Sequence, residues 1–210
     1  NATVVDDHAG TVLTLPSLAA GASSPYSGSY VPTSSPSTDT VTATGTDAIN
    51  YYISFDNVEV GKLQAQSLVD KLNQEGIAKP TIVMINGSPT DNNAKLFKQG
   101  AHSVFDPLVT AGKLTIAKEY DTPDWSPDQA QTEMTQALTA LSNKVDGVYA
   151  ANDGTAGGAI AAMKGAGLNP LPPVTGQDAQ IDGIQRILAG EQYMTVYKAI
   201  KPEADDAAQL

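Results

Sequence analysis

The sequence predicts an α/β fold in which a parallel sheet is flanked by helices, preceded by an extended N-terminal arm. From residue 51 onward, apolar runs rich in β-branched residues alternate with amphipathic stretches. Residues 1–50 are instead rich in Thr, Ser, Ala, Gly and Pro and lack a helical period. We therefore divide the chain into an arm or linker, residues 1–50, and an α/β lobe, residues 51–210.

Three stretches of the arm carry weak structural signals. The stretch 11-TVLTLPSL-18 alternates weakly and predicts one strand, which Pro16 would confine to the edge of a sheet. Residues 21–40 have the composition of a linker or an extended surface arm. Residues 41–46 are consistent with another short extended piece. The arm is thus expected to contain extended chain but no core of its own.

The lobe is predicted to contain six strands and six helices in alternation. The strands are the apolar runs at 51–55, 81–85, 114–120, 145–151, 172–176 and 193–198. The helices are the amphipathic stretches at 58–74, 92–111, 127–142, 155–167 and 179–189, with a last one beginning near Pro202. Strict alternation of strands and helices predicts a parallel sheet with helices on both faces.

Residues with a preference for helix ends support several of these helices. Asn57 is placed to cap the first helix, and Asp178 is placed to cap the fifth. Ser126 followed by Pro127 is a typical start for the third. Four glycines follow helices and favour the left-handed conformation that ends them: Gly76, Gly112, Gly167 and Gly190.

Polar side chains gather where the predicted strands end. In a parallel sheet the carboxyl ends of the strands meet at one edge, and ligands bind there. Hydroxyl-rich ligands such as sugars need mixed donors and acceptors together with a flat apolar ring, which this edge offers. A phosphate ligand would favour a Gly-rich loop, and neither G-x-G-x-x-G nor a Walker lysine motif occurs in the sequence. The candidate ligand-binding residues are Asp91, Asn92, Asn93, Trp125, Asn152, Asp178 and Lys198.

Each of these residues also has an ordinary structural explanation. One of residues 91–93 is needed as a helix cap, and Asn152 before Asp153 and Gly154 is consistent with an Asx turn. Asp178 can act as a cap alone, and Trp125 can pack locally in its Pro-rich loop. The hypothesis of a site therefore depends on the predicted convergence of these residues and on none of them singly.

The composition excludes several classes of function. The formal net charge is -11, and the chain has a single arginine, Arg186, so nucleic acid is an unsuitable partner. The sequence has no cysteine, and its two histidines, His8 and His102, lack metal-ligand spacing. Neither a nucleophile elbow nor a nucleophile–base motif is visible, so we expect neither an enzyme nor a cofactor. No apolar run reaches eighteen residues, so no membrane span is expected.

Five stretches together resemble a known family. They are 52-YISFDNVEVGKLQAQSLVD-70, 88-SPTDNNAKLFKQG-100, 152-NDGTAGGAI-160, 176-GQDA-179 and 194-MTVYK-198. The sequence is similar to the periplasmic sugar-binding proteins of ABC transporters, and among them to the D-xylose-binding proteins. The resemblance implies a type I periplasmic binding fold, in which two α/β lobes hold a sugar between them. No bond is made or broken in that family.

The resemblance also implies roles for the candidate residues. The family's ligand contacts would fall on Asp91, Asn92 or Asn93, and Trp125 would be the stacking aromatic ring. Polar contacts would come from Asn152, Asp178 and Lys198, with Asp178 as the main carboxylate acceptor. The family's first lobe would precede residue 51, whereas residues 1–50 do not match it. The chain is therefore expected to represent the second lobe only.

Two hypotheses of function follow. The first is an extracellular or periplasmic, non-catalytic module that binds a xylose-like monosaccharide for ABC uptake. Its partners would be the transporter's membrane subunits, or a second lobe on another chain. The alternative is an extracellular filament subunit built from a repurposed lobe, in which residues 1–50 donate a strand to a neighbouring copy. A repressor effector domain shares the fold, but the acidic charge and the missing helix-turn-helix motif count against it.

Overall fold

The computed structural model describes residues 2–6, 10–15 and 54–208. These residues form two compact units. The larger unit is Asn57–Tyr197, and the smaller one comprises the described residues on either side of it. The linker-like residues 21–40 and the stretch 41–46 lie outside the described residues, as does Pro16.

The smaller unit contains two strands near the N-terminus and one helix near the C-terminus. Strand β1 (Ala2–Asp6) pairs antiparallel with β2 (Gly10–Leu15), with an irregularity between Val4 and Val5. The strand predicted within residues 11–18 corresponds to β2. The helix predicted near Pro202 begins two residues earlier, at Ile200, and ends at Ala207; we number it α6.

The larger unit contains three strands and five α-helices among its described residues. In chain order they are α1 (Asn57–Gln74), β3 (Thr81–Asn86), α2 (Asn92–Thr110), β4 (Thr115–Asp121), α3 (Pro127–Leu141), β5 (Gly147–Ala150), α4 (Asp153–Gly165) and α5 (Ile181–Leu188). A single 3-10 turn, Pro123–Trp125, lies between β4 and α3. Both ends of each of these helices and strands lie within two residues of the predicted boundaries.

The sheet of the larger unit is parallel, with the order β4-β3-β5. Two isolated parallel bridges extend it beyond β5: Val148 pairs with Val174, and Gln177 pairs with Val196. The expected strands at 172–176 and 193–198 therefore exist only as single bridges, and the prediction of full strands there is wrong. Pro172 and Pro173 lack the N–H groups that a longer ladder would need.

Side chains of β3 alternate between two buried clusters, one on each face of the sheet. Ile82 and Met84 join a cluster with residues of α1 and α2 that includes Phe105 and Tyr149. Val83 and Ile85 join an aliphatic cluster on the opposite face, formed with α3 and α4. The period-two alternation of a strand buried on both faces explains why residues 82–85 are all apolar. The predicted parallel sheet with helices on both faces is confirmed.

The helix ends follow the sequence in most places. Ser126 caps α3, where its side chain accepts a hydrogen bond from the amide of Gln129, and Pro127 is the first helical residue. The four predicted glycine stops have φ angles of 75°, 65°, 78° and 73° at Gly76, Gly112, Gly167 and Gly190. Among the described residues, none of the helices combines the length and the apolar composition that a membrane span requires.

Three local predictions require correction. Ser54 and Phe55 are not in a strand, and residues 51–53 of that prediction lie outside the described residues. Asn57 is the first helical residue of α1 instead of its cap. Asp178 does not cap α5: the helix begins at Ile181 after Gln180, which makes no side-chain capping bond. The physical reason is that the backbone amides before α5 bond to other parts of the fold, as described below.

Candidate functional site

Asp91 and Trp125 are joined by a hydrogen bond at the carboxyl edge of the sheet. Asp91 follows β3 and caps α2, where its Oδ1 accepts a hydrogen bond from the amide of Asn93 at 2.8 Å. Its Oδ2 accepts a hydrogen bond from the indole Nε1–H of Trp125 at 3.1 Å. Both carboxylate oxygens of Asp91 are thus engaged within the protein, one as a cap and one as an anchor for the ring.

The loop around Trp125 has an uncommon backbone. Asp124 and Trp125 have φ angles of 54° and 56°, although neither residue is glycine. Left-handed conformations cost free energy for such residues and persist where other contacts hold them. The amide of Asp124 donates to Oγ of Ser88 at 3.3 Å, and Phe97 packs edge-on to the indole, with ring centroids 6.3 Å apart. The strained turn therefore presents the ring in a fixed orientation.

The ring of Trp125 also lies directly on the backbone after β3. A Cβ atom at Gly87 would come within 2.0 Å of the ring, so only glycine allows this approach. Trp125 remains half-buried, which leaves part of its surface accessible. An accessible aromatic ring held in place is the feature needed to stack on the C–H groups of a sugar.

Asn92 and Asn93 differ in their surroundings. Asn92 is exposed, whereas Asn93 is half-buried, and its Oδ1 accepts a hydrogen bond from Nδ2 of Asn57 at 3.0 Å. This bond joins the first turns of α1 and α2. Asn57, which the sequence suggested only as a cap, therefore helps to orient one of the candidate ligand residues.

Asn152 lies at the start of α4, where the chain leaves β5. Its Oδ1 accepts a hydrogen bond from the amide of Thr155 at 2.8 Å, and the Thr155 hydroxyl accepts one from the Asn152 amide at 3.3 Å. This capping box replaces the Asx turn that the sequence suggested. Asn152 is half-buried, and its Nδ2 makes no hydrogen bond to another described residue.

Asp178 is exposed and lies on a left-handed turn after the Gln177 bridge. Asp178 and Ala179 have φ angles of 96° and 49°. The amide of Asp178 donates to the carbonyl oxygen of Val196 at 2.9 Å. The residue therefore serves as a turn residue held by a neighbouring segment, with its carboxylate near the surface.

Contacts between neighbouring loops connect these residues along one edge. A Cβ atom at Gly154 would lie 3.7 Å from Cγ of Pro127, two residues after Trp125, and 3.5 Å from Oδ1 of Asn152. Asp153, next to Asn152, accepts a hydrogen bond from the amide of Gln180 at 2.9 Å. The structure therefore brings the loops carrying Asp91, Trp125, Asn152 and Asp178 together along the carboxyl edge.

Lys198, the remaining candidate, belongs to the smaller unit. Its Nζ lies 5.8 Å from the centroid of the Phe55 ring, within the range of a cation–π interaction. Its role as a sugar contact stays a prediction.

A charged network lies beside this edge, between α2 and β4. Lys98 contacts Glu119 at 2.7 Å, and His102 contacts the same carboxylate at 3.1 Å. Burial alone would raise the pKa of Glu119, but its two cationic neighbours outweigh burial and lower it. Burial alone would lower the pKa of His102, but hydrogen bonds to Asp106 and Glu119 outweigh burial and raise it. Within the described residues, no group of three or more metal-ligating side chains is arranged to hold an ion.

Comparisons with known proteins agree with this architecture. A family model described as a periplasmic binding protein domain matches residues 37–210. The chain belongs to this family. It is 47% identical over 162 residues to a D-xylose-binding periplasmic protein of Escherichia coli (strain K12), covering 77% of this chain and 48% of that protein. It is 40% identical over 167 residues to a multiple sugar-binding periplasmic protein of Azospirillum brasilense, covering 73% of this chain and 47% of that protein.

Solved structures of solute-binding proteins show the same fold. One from Clostridium phytofermentans with bound β-D-glucose is 33% identical, with a TM-score of 0.72 over 78% of this chain and 54% of that one. Another, from Actinobacillus succinogenes with bound D-allose, is 27% identical, with a TM-score of 0.64 over 73% of this chain and 52% of that one. The expected resemblance to D-xylose-binding proteins and the type I periplasmic binding fold are both confirmed. This chain spans about half the length of the curated relatives it matches.

Two residues of this periplasmic binding protein domain escaped sequence reasoning. Asp153 is fully buried, and its carboxylate accepts hydrogen bonds from Gln192 and Thr195 as well as from the Gln180 amide. Thr195 in turn accepts a hydrogen bond from the Ala179 amide. The dipeptide Asn152–Asp153 was visible in the sequence, but its partners lie 27 to 42 residues away, so no local pattern reveals them.

Proposed function

We propose that this chain is a non-catalytic binding module for a monosaccharide of the xylose type, serving ABC uptake outside the cytoplasm. The observation that carries the proposal is a half-buried indole fixed by Asp91 and Gly87, on the same sheet edge as Asn152 and Asp178. Such an edge offers a stacking surface together with amide and carboxylate groups. Sugars need this combination because their C–H faces are apolar and their hydroxyls both donate and accept hydrogen bonds.

The hydrogen bonds of the site divide the candidate residues into two roles. Asp91 holds the ring and caps α2, so we assign it to positioning and assign the contact after β3 to Asn92 or Asn93. Asn152 donates from Nδ2, since its Oδ1 caps α4. Asp178 is the carboxylate acceptor at the surface, and Trp125 is the stacking ring.

Relatives support a small sugar as the ligand class. Their names include D-xylose-binding, xylitol-binding and D-apiose import binding proteins. The solved neighbours include one with bound β-D-glucose and one with bound D-allose. The names of the D-xylose-binding relatives also place them in the periplasm, which supports an extracytoplasmic location for this chain.

A single lobe covers only one side of a sugar. Small-molecule sites bury most of the ligand surface, so tight binding requires a second wall. Because the chain aligns with 48% of the Escherichia coli relative, we propose that the second wall comes from another lobe, on a partner chain or in a longer protein. The membrane subunits of an ABC transporter would then receive the sugar from the assembled pair.

Calorimetry tests this function directly. Xylose, glucose and ribose are titrated into the chain at millimolar concentration, and the titrations are repeated with Trp125→Ala and with Thr132→Ala, an exposed position on α3. We expect measurable heat with at least xylose, lost in Trp125→Ala and kept in Thr132→Ala. Absence of heat with all three sugars would overturn the proposal.

The filament alternative receives no support from the described structure or from the relatives. The arm that motivated it lies mostly outside the described residues. We therefore do not propose self-assembly for this chain.

A further inference from the structure

The turn that carries Asp178 is strained and depends on outside contacts. Asp178 and Ala179 are consecutive non-glycine residues with positive φ angles, 96° and 49°. Such a pair is unfavourable unless the surrounding structure holds it. The amide of Asp178 donates to the Val196 carbonyl oxygen at 2.9 Å, and the amide of Ala179 donates to Oγ1 of Thr195 at 3.1 Å. Both supports come from the segment that follows α5.

The third amide of this turn bonds to Asp153 on α4. The Gln180 amide donates to Oδ2 of Asp153 at 2.9 Å, and the Thr195 hydroxyl donates to the same oxygen at 3.0 Å. The other oxygen, Oδ1, accepts a hydrogen bond from Nε2 of Gln192 at 2.7 Å. The carboxylate therefore ties the turn and the segment after α5 to the first turn of α4.

The Thr195 hydroxyl acts as a link between Asp153 and the turn. A hydroxyl has one hydrogen to donate, and an ionised carboxylate can only accept. Because the hydrogen points to Asp153, a lone pair of Thr195 Oγ1 is directed to the Ala179 amide. Two of the three amides of the turn therefore depend on Asp153, one directly and one through Thr195.

The space around Asp153 is built for a carboxylate. A Cβ atom at Gly176 would lie 2.1 Å from Oδ1, and one at Gly183 would lie 2.5 Å from Oδ2. Arg186 donates to the backbone oxygen of Asp153, at 2.6 Å, and to Asp182. Burial raises the pKa of Asp153, and its hydrogen bonds offset only part of that effect. A buried carboxylate is costly for stability, which indicates a purpose other than packing.

We propose that Asp153 and Thr195 are positioning residues for sugar binding, which hold Asp178 in place through the amides of Ala179 and Gln180. This inference rests on the proposed function, in which Asp178 contacts the sugar. The two positioning residues act from behind the turn, since Asp153 is fully buried and Thr195 bonds to it.

The first experiment compares Thr195→Val with Thr195→Ser in the full chain. Val keeps the size of the side chain and removes the hydroxyl, whereas Ser keeps the hydroxyl. Loss of one net hydrogen bond corresponds to about a fivefold to tenfold change in an equilibrium constant. We expect Thr195→Val to bind xylose weaker by about that factor, and Thr195→Ser to stay within about twofold of the unaltered chain. Equal affinity of all three proteins would overturn the proposal.

The second experiment needs no sugar. Amide hydrogen exchange is measured at Ala179 and Gln180, and at Ile85 in the core strand β3 as the reference. In Thr195→Val we expect faster exchange at both turn amides, by about tenfold, with Ile85 unchanged. An equal increase at Ile85 would indicate general destabilisation and would reject a specific positioning role.

The two experiments separate the inference from the function on which it rests. If the unaltered chain binds none of the sugars, the proposed function fails, and the role of the two residues in sugar binding fails with it. Amide exchange would still show whether Thr195 holds the turn. If the chain binds xylose but Thr195→Val leaves both affinity and exchange unchanged, only the positioning inference is wrong.

Discussion

Asp91 and Asp153 occupy similar places in the fold and behave differently. Each follows a strand of the sheet and lies at the start of a helix, α2 or α4. Asp91 is half-buried and anchors the ring of Trp125. Asp153 is fully buried and accepts three hydrogen bonds from residues 27 to 42 positions later in the chain.

The two carboxylates differ in whether water can replace their hydrogen bonds when these are lost. If Asp91 is altered, solvent can reach its former partners, so the loss is limited to the net value of the bonds. If the donors around Asp153 are displaced, its fully buried carboxylate loses hydrogen bonds that water cannot replace, which costs the desolvation of a buried acceptor. Substitutions around Asp153 should therefore lower the free energy of unfolding most. Substitutions around Asp91 should instead mainly lower sugar affinity.

The largest expected effect comes from Gly176→Ala. The added Cβ would lie 2.1 Å from Oδ1 of Asp153 and 2.3 Å from Nε2 of Gln192, both buried. We expect a loss of about 3 kcal/mol in the free energy of unfolding, at the upper end of overpacking. Urea denaturation measures it. The matched control is Gly154→Ala in the first turn of α4, where the nearest atom would be 3.5 Å away. The control should be neutral or slightly stabilising, and equal losses in both variants would contradict the comparison.

Gly87→Ala should have the next largest effect, on the Asp91 side. Its Cβ would come within 2.0 Å of the Trp125 ring, which is half-buried and can move outward. We expect a loss of about 1–2 kcal/mol in stability and a larger relative loss of sugar affinity, because the ring leaves its place. Since Trp125 is the chain's single tryptophan, its fluorescence emission reports the displacement directly. An unchanged emission spectrum would show that the ring is not held against Gly87.

Asp91→Asn should have a smaller effect that depends on Trp125. The substitution keeps one acceptor for the Asn93 amide but can place an N–H₂ group against the indole N–H. We expect a loss of about 1 kcal/mol in stability. In a Trp125→Phe background, which has no indole N–H, the same substitution should cause a smaller loss of stability. A double-mutant cycle measures this coupling, and additive effects would show that the hydrogen bond contributes nothing.

The smallest expected effect concerns Glu119. Its carboxylate has cationic neighbours, whereas the carboxylate of Asp153 accepts hydrogen bonds from neutral groups. A lowered pKa means that Glu119 adds stability above its ordinary value of 4.5 and loses it as the pH falls through the folded value. A raised pKa means that His102 adds stability below 6.5 and loses it as the pH rises through the folded value. Both contributions are present between these two pH values.

Glu119→Gln should therefore reduce stability most within that window. The group is partly exposed, so solvent screening keeps the expected loss below about 1 kcal/mol. Thermal melts from pH 4 to pH 8 measure the difference between the variant and the unaltered chain. Glu75→Gln removes an exposed carboxylate paired with Lys71 and serves as the control. A flat difference across the pH range would refute the role assigned to this network.

The sequence predicted the parts of the fold that depend on neighbouring residues. The apolar run of β3, a cap within residues 91–93 and the Ser126–Pro127 start of α3 each occupy a few consecutive positions. The capping hydrogen bonds close within one turn and the apolar run of β3 is continuous in the sequence, so residue type and spacing are sufficient to reveal these features. The same applies to the glycines that end the helices.

Predictions failed where distant segments decide the structure. Residues 172–176 and 193–198 resemble strands in composition, but two prolines and a left-handed turn reduce them to single bridges. Asp178 resembles a cap, but the amides that follow it bond to Thr195 and Asp153 instead. The burial of Asp153 depends on two glycines and on Gln192, none of which is near it in the sequence.

The hydrogen bond between Trp125 and Asp91 has a consequence for how a ligand would be received. Ordering a large side chain on binding costs about 0.5–1.5 kcal/mol of conformational entropy. Here that entropy is lost during folding, because the indole is already fixed by its bond to Asp91, by Phe97 and by the backbone of Gly87. The aromatic side of the site is therefore preorganised. A sugar that stacked on the ring would not have to order Trp125, so less of its interaction free energy would be lost as conformational entropy.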